Sequence, residues 1–172
     1  MFEERIRVIC NHLSIPSDYE SRYGLTIQYE EKELVEIGQD VFHRIQYLSS
    51  TAAASWNKMR ENAYEDGIQL SIVSAFRSVN KQQQIIENKL SQGHSIEKIL
   101  EVSAAPGYSE HHTGRAIDIT TPGCEPLSDR FELTEAFRWL VDNGCDYSFS
   151  LSYPKGNSCG VVYEPWHWAY CK

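Results

Sequence analysis

Two short stretches place the strongest constraint on this chain, because together they carry most of its metal-binding and acid–base side chains. They are SEHHTGRAID at residues 109–118 and EPWHW at residues 164–168. Their imidazoles and carboxylates belong to His111, His112, His167, Asp118 and Glu164. A catalytic zinc ion takes three protein ligands and leaves one position open for water. A nearby carboxylate that is not a ligand can act as a general base. The two stretches therefore supply enough groups for a zinc centre and its base.

The first stretch predicts a turn that leads into a buried strand. Gly114 allows the chain to turn sharply, and AIDI after it is typical of a strand. His111 and Asp118 can then approach one ion from the two sides of the turn. His111 and His112 are adjacent, so spacing alone does not decide which of them is the ligand.

The second stretch predicts a different local geometry. Pro165 fixes its own φ and favours extended backbone at the residue before it. We therefore expect Glu164 at the end of a strand and His167 just beyond it. Their three-residue spacing then indicates a turn and not a helix face.

The pattern S-x-H-x-x-G-x-A-x-D, followed downstream by E-P-W-H, resembles the VanY-type zinc D-alanyl-D-alanine carboxypeptidases, which share a fold with the Hedgehog signalling domain. SAFRS at residues 74–78 and FSLSYPKG at residues 149–156 add to the resemblance, which extends from about residue 68 to 170. His112 departs from the family, which commonly has Gln there. Ala75 and Phe76 stand where the family commonly has Gly and Tyr.

The resemblance implies a role for each matching residue. It implies that zinc is held by His111, Asp118 and His167, and that Glu164 is the catalytic base. It also implies polar substrate contacts from Gln82, Ser109 and Tyr153. For each of these three, a purely structural hydrogen bond is the alternative.

Arg77 is the candidate for recognising the substrate. A carboxypeptidase must bind a free terminal carboxylate, and a planar guanidinium can bind both of its oxygens at once. Arg77 directly follows the predicted strand IQLSIVSAF, so its side chain should emerge at a strand end. The alternative is an exposed arginine in a surface ion pair.

The chain has 172 residues, enough for one domain with one hydrophobic core. Helical spacing predicts helices over about 2–13, 49–63, 79–91 and 132–143, with another starting after an N-cap at Ser95. Strands are predicted over 68–76, at AIDI, and over 149–153 and 160–163. This order predicts a single α+β domain with a central antiparallel sheet flanked by helices, like the Hedgehog/DD-peptidase fold. We divide it into an N-terminal helical part, about 1–66, and a catalytic core, about 67–172.

Charge and cysteine content restrict partners and compartment. The net charge of −8 with no basic run argues against nucleic acid or an anionic membrane surface as partner. Five cysteines cannot all pair within one chain, and MFEERIRVICNHL lacks the apolar core of a signal peptide. We therefore expect a reducing cytoplasm; periplasm or cell envelope is the alternative if a signal had been trimmed.

These features predict a zinc carboxypeptidase that removes C-terminal D-alanine, or another D-amino acid, from peptidoglycan stem peptides. A cytoplasmic D,D-carboxypeptidase would destroy the pentapeptide precursor of the wall, so we expect an L,D-carboxypeptidase acting on tetrapeptides in murein recycling. The alternatives are a D,D-carboxypeptidase, an endopeptidase of phage-lysin type, and a zinc-stabilised binding module. Arg77 argues against the endopeptidase, and Glu164 argues against the binding module.

Overall fold

A four-stranded antiparallel sheet lies at the centre of the fold. The computed structural model describes residues 1–159 and 161–171. The sheet strands are β3 (Ser71–Ser74), β4 (Ala116–Thr120), β5 (Phe149–Leu151) and β6 (His167–Tyr170), and they lie in the order β3-β4-β6-β5. Strand β4 pairs on both sides, and all of its residues are buried. The sheet is therefore organised around the strand that carries Asp118.

Six α-helices and a separate hairpin surround this sheet within the described residues. The helices are α1 (Phe2–His12), α2 (Tyr19–Tyr23), α3 (Ser50–Glu65), α4 (Val79–Ser91), α5 (Ile96–Val102) and α6 (Glu135–Asn143). The hairpin strands are β1 (Leu34–Gln39) and β2 (Ile45–Ser49), which pair antiparallel. Short 3-10 helices cover Glu110–Thr113, Asp129–Leu133 and Gly144–Tyr147. None of the helices in residues 1–159 and 161–171 combines the length and apolar character that a membrane span requires.

The predicted helices are confirmed with small shifts at their ends. The predicted N-cap at Ser95 is also confirmed, because its side chain accepts a hydrogen bond from the backbone N–H of Lys98. The helix expected over 132–143 begins at Glu135, after Thr134 caps it. Polar caps of this kind satisfy the free N–H groups of a first helical turn.

The strand expected over 160–163 is wrong where the structure describes it. Gly160 lies outside the described residues, and 161–163 form no strand. The sheet instead gains β6, which begins at His167. Glu164 is therefore not at a strand end and His167 is not beyond one, because the turn precedes the strand. The expected turn itself is confirmed, since the His167 N–H donates to the carbonyl of Glu164 at 3.1 Å.

The β1–β2 hairpin is not predicted by the sequence, and it means that residues 1–66 include a sheet as well as helices. Its turn has no Asn-Gly or Asp-Gly signal. The buried Asp40 carboxylate holds the turn, accepting hydrogen bonds from the backbone N–H groups of Phe42 and Arg44 and from the side chains of Arg44 and Gln46. Gln46 in turn accepts a bond from the Ala75 N–H at 2.9 Å. The hairpin thus supports the segment that follows β3.

Two hydrophobic clusters divide the interior. The first joins α3, the central sheet and α6, and includes Trp56, Ile117 and Leu140. The second joins α1, α4 and α5, and includes Ile86 and Ile99. The segment containing Arg77 lies between Ala75 of the first cluster and Val79 of the second.

Replacing Asp40 with Ala should destabilise the protein by about 2–4 kcal/mol at neutral pH, because four part-buried hydrogen bonds are lost. Burial alone would raise the pKa of Asp40, but hydrogen bonds from Arg44 and Phe42 outweigh it and lower the pKa. A carboxyl with a lowered folded pKa stabilises above its unfolded value, about 3.9, and loses that effect as the pH falls through the folded value. The difference in the free energy of unfolding between the wild type and Asp40→Ala, measured with urea, should therefore become smaller in acid. The exposed Asp142→Ala is the control, and equal stability of the two variants would contradict the role of Asp40.

Candidate active site

Three predicted ligands, His111, Asp118 and His167, converge in the structure. Strands β4 and β6 place Asp118 directly opposite His167, and the 3-10 helix Glu110–Thr113 adds His111. All three are buried, and their ligand atoms lie within 4.8 Å of one another.

These atoms lie close enough for one metal ion to bind all three residues. His111 Nε2 lies 3.3 Å from Asp118 Oδ2, and His167 Nδ1 lies 3.0 Å from Asp118 Oδ1. Ligand atoms bound tetrahedrally at 2.0–2.1 Å from zinc are separated by about 3.3 Å. Two imidazoles and one carboxylate also form a donor set of the kind found in catalytic zinc sites, which keep a fourth position for water.

A hydrogen bond to the backbone fixes the tautomer of His111. Its Nδ1 lies 2.6 Å from the carbonyl oxygen of Ala75. A carbonyl can only accept, so Nδ1 carries the proton and the Nε2 lone pair points towards Asp118. Burial lowers the pKa of His111 against the opposing charge of Asp118. His111 is therefore in the neutral form that a metal requires.

Glu110, which is absent from the predicted site residues, orients His167. Its Oε2 accepts a hydrogen bond from His167 Nε2 at 2.8 Å, so Nδ1 is the nitrogen that faces Asp118. Burial opposes a charged His167, but the hydrogen bonds that it donates to Asp118 and Glu110 outweigh burial and raise its pKa to about 10, so a metal bound at Nδ1 would displace a proton. Metal-binding histidines commonly donate their second N–H to a carboxylate in this way. In the sequence, the only feature that points to a role for Glu110 is its position next to the ligand candidate His111.

His112 has a structural position. Its Nε2 accepts a hydrogen bond from the Gly107 N–H at 3.1 Å, and its Nδ1 donates to the carbonyl of Arg77. Burial lowers its pKa to about 4. Both nitrogens of this neutral ring are occupied, so His112 is not available as a ligand, in agreement with the choice of His111 from the family resemblance.

Gly114 makes the predicted turn after these histidines. It adopts a φ of +64°, and a side-chain Cβ at this position would lie 2.9 Å from the backbone nitrogen of Ser49. That nitrogen donates to the Gly114 carbonyl at 2.8 Å. The site is thus closed against the end of β2, and only glycine allows this approach.

Glu164 lies beside the three ligand candidates without joining them. Its Oε2 is 3.9 Å from His167 Nδ1, and its side chain lines the same cleft. Burial raises the pKa of Glu164 to about 7, and the neighbouring Asp118 carboxylate adds to the rise against the opposing charge of His167. A carboxyl whose pKa is near neutral can both accept and return a proton, as a general base must.

Arg77 reaches the cleft with its guanidinium already held in place. Its Nη1 donates to Gln82 Oε1 at 2.9 Å and its Nη2 to Ser74 Oγ at 3.2 Å. Nη2 is also 3.9 Å from Asp118 Oδ2, and only 22% of the side chain is exposed. This placement does not fit the alternative of an exposed surface ion pair.

The remaining polar candidates take different positions. Ser109 and Tyr153 line the cleft, and the Tyr153 ring lies 4.9 Å from the ring of His167. Gln82 is fully buried and donates to the Ala104 carbonyl at 2.7 Å, so it supports Arg77 from behind. Direct substrate contacts by these three residues stay predictions.

The cleft has a volume of about 480 Å³. The three ligand candidates and Glu164 line it. Helix α4 contributes Ile85 and Lys89 to the lining, and the end of α5 contributes Val102 and the following Ser103. A cleft of this size can hold the end of a peptide.

Comparison with known proteins identifies similar sequences. Residues 45–172 match the family described as VanY: D-alanyl-D-alanine carboxypeptidase. The putative carboxypeptidase YodJ of Bacillus subtilis is 34% identical over 177 aligned residues, which cover 96% of this chain and 63% of YodJ. The chain therefore spans less than two thirds of the length of this relative.

Solved structures show the same fold. The LdcB LD-carboxypeptidase superposes with a TM-score of 0.74 and 36% identity, over 83% of this chain and 70% of that one. A mutant of the D,D-pentapeptidase VanY from a VanB-type resistance cassette, in complex with Zn(II), superposes with a TM-score of 0.63 and 27% identity, over 83% of this chain and 80% of that one. The predicted α+β class is thereby confirmed.

Glu110→Ala should weaken zinc binding about 10- to 100-fold, because the ring of His167 loses the carboxylate that orients it. Glu110→Gln keeps an acceptor oxygen, so its zinc affinity should fall much less. Zinc affinity can be measured by competition with a chromophoric chelator. The exposed Glu125→Ala is the control, and an unchanged affinity in Glu110→Ala would exclude the orienting role.

Proposed function

The chain belongs to the VanY family of D-alanyl-D-alanine carboxypeptidases, and from this membership we propose that it is a zinc-dependent peptidoglycan carboxypeptidase that removes the C-terminal D-amino acid from a stem peptide. The observation that carries the proposal is one cleft that combines a buried His-Asp-His group with a separate carboxylate and a fixed guanidinium.

The residues that would hold the metal are His111 through Nε2, Asp118, and His167 through Nδ1. Bound Zn²⁺ would supply Lewis-acid activation of water and of the scissile carbonyl. Ala75 and Glu110 keep the two imidazoles in the tautomers that this requires.

Glu164 is the proton carrier of the proposed reaction. It takes a proton from the attacking water and returns it to the nitrogen of the departing amino acid. Its position beside His167, outside the ligand group, leaves its carboxylate free for this task. The high proton affinity that burial gives it suits a group that must hold the proton between the two steps.

Arg77 positions the substrate by binding the terminal carboxylate. The guanidinium has more N–H donors than its bonds to Gln82 and Ser74 use. Because those bonds hold the group before the substrate arrives, little side-chain freedom is lost on binding. The last residue of the peptide is thereby held with its scissile bond next to the metal group.

The finer proposal is an L,D-carboxypeptidase that trims tetrapeptides in murein recycling in the cytoplasm. Sequence identity is higher to the LdcB LD-carboxypeptidase than to the D,D-pentapeptidase VanY, 36% against 27%. The five cysteines are all free, as is usual in a reducing compartment. A D,D activity in the cytoplasm would consume the pentapeptide precursor, which favours the L,D reaction. The D,D reaction on pentapeptides is the second candidate, since the family is described by that activity.

Two other functions receive less support. An endopeptidase cuts inside a peptide and has little use for Arg77 fixed in the cleft. A zinc-stabilised binding module has no need for Glu164, whose burial costs free energy that a structural role would not repay.

Glu164→Gln should lower turnover by about 10²- to 10⁴-fold, because the proton carrier is lost. Its zinc content, measured by elemental analysis, should stay that of the wild type, because Glu164 is not a ligand. Glu125→Gln, an exposed substitution of the same kind, should change neither quantity. Near-normal turnover in Glu164→Gln would remove it from the mechanism.

Amidation of the peptide C-terminus should slow cleavage strongly, because Arg77 loses its carboxylate partner. Arg77→Lys should slow cleavage of the free peptide, because an ammonium cannot form the bidentate fork. Rates can be compared by chromatography of the products. Equal rates on free and amidated peptides would support the endopeptidase instead.

The L,D proposal predicts faster release of D-alanine from a tetrapeptide stem than from the matching pentapeptide. Purified zinc-loaded enzyme should be given each peptide separately, and released D-alanine should be followed by mass spectrometry. Faster cleavage of the pentapeptide would establish the D,D reaction and reopen the alternative of a location in the cell envelope.

A further inference from the structure

A second cation lines the cleft, and the proposed mechanism does not use it. Lys89 lies in the last turn of α4 with its side chain partly buried, and it borders the same cleft as Arg77. Its Nζ donates to Ser103 Oγ at 2.8 Å. Across residues 1–159 and 161–171, no carboxylate lies within ion-pair distance of this ammonium.

The surroundings of Lys89 favour a bound anion. Burial lowers the pKa of Lys89, and the positive charge of Arg77 lowers it further against the weaker opposing effect of Glu164. A partly desolvated ammonium next to a second cation is unfavourable unless an anion joins it. The hydroxyl of Ser103 can donate to such an anion as well.

Lys89 and Arg77 occupy separate points on one wall of the cleft. Arg77 is tied through Gln82 to the carbonyl of Ala104, whereas Lys89 is tied to Ser103, the preceding residue. Gln82 and Lys89 lie about two turns apart on one face of α4. Because Ala104 and Ser103 are adjacent residues, the guanidinium and the ammonium line neighbouring parts of the cleft.

Apolar side chains line the same cleft as the two cations. Ile85 lies between Gln82 and Lys89 on α4 and faces the cleft, and Val102 lines the cleft near Ser103. A residue whose terminal carboxylate is on Arg77 can extend its methylene groups along Ile85 towards Lys89. A methyl side chain offers no acceptor to the ammonium.

We propose that Lys89 and Ser103 form an anion subsite for the side chain of the residue that is cleaved off, so that the enzyme accepts a leaving D-amino acid with an acidic side chain. This subsite rests on the proposed carboxypeptidase function only for the identity of the leaving residue. The carboxylate of the side chain binds the ammonium and the serine hydroxyl, while the α-carboxylate binds Arg77.

The test is direct binding of two cleavage products of equal shape and different charge. Zinc-loaded wild-type protein is titrated by calorimetry with D-glutamate and with D-glutamine. We expect D-glutamate to bind about tenfold more tightly or better, as for a charge-assisted hydrogen bond. Equal affinities, or no detectable binding of D-glutamate, would overturn the subsite.

Variants assign the preference to Lys89. Lys89→Met should abolish the preference for D-glutamate, and Lys89→Arg, which keeps the charge, should retain most of it. Lys81→Met changes an exposed lysine on the same helix and should leave the preference intact. If folded Lys89→Met still prefers D-glutamate, the ammonium is not the source of the preference. If Lys89→Arg loses the preference, the positive charge is not its source.

Hydrolysis separates this proposal from the carboxypeptidase function. Tetrapeptides that end in D-glutamate, D-glutamine or D-alanine are given to the wild type and to Lys89→Met. A ratio of kcat/KM for D-glutamate over D-glutamine that falls about tenfold in the variant supports the subsite. If no peptide is cleaved while the binding preference is present, the proposed reaction is wrong and the subsite stands.

Discussion

The carbonyl groups of Ala75 and Arg77 are the anchors on which the site depends. The Ala75 carbonyl accepts a hydrogen bond from His111 Nδ1, and the Arg77 carbonyl accepts one from His112 Nδ1. These bonds join the segment after β3 to the 3-10 helix before β4, and they set the tautomers of both rings. One histidine thereby presents its lone pair to the ligand group, and the other uses both nitrogens for structure. Two adjacent residues of the same type thus serve different purposes because their second nitrogens face different neighbours.

The sequence predicts the chemical groups of this site better than the structure that surrounds them. The ligand candidates, Glu164 and Arg77 lie in short motifs, and residue type with local turn chemistry is enough to single them out. The helices over 79–91 and after Ser95 are also predictable, because their apolar spacing and serine caps are local signals.

Features that depend on distant neighbours could not be predicted. The turn of the β1–β2 hairpin is held by the four hydrogen bonds that Asp40 accepts. No turn motif in the sequence predicts these bonds. Strand β6 was missed because its pairing with β4, and not its own composition, makes it a strand. Glu110 could not be assigned, since its role depends on the orientation of a ring more than fifty residues away. The burial of Gln82 behind Arg77 is a matter of packing between α4 and the segment after α5.

The division of the interior into two clusters has a consequence for how a protein of this fold can change during evolution. The strands that carry the metal group pack in the first cluster, through Ile117 and Trp168. The helices α4 and α5, which also line the cleft, pack in the second cluster through Ile86 and Ile99. Repacking around Ile86 and Ile99 can therefore move α4 and α5 while the strands that carry Asp118 and His167 stay in place. Substrate preference and reaction chemistry are thus separable traits in this fold, and selection can alter the first without rebuilding the second.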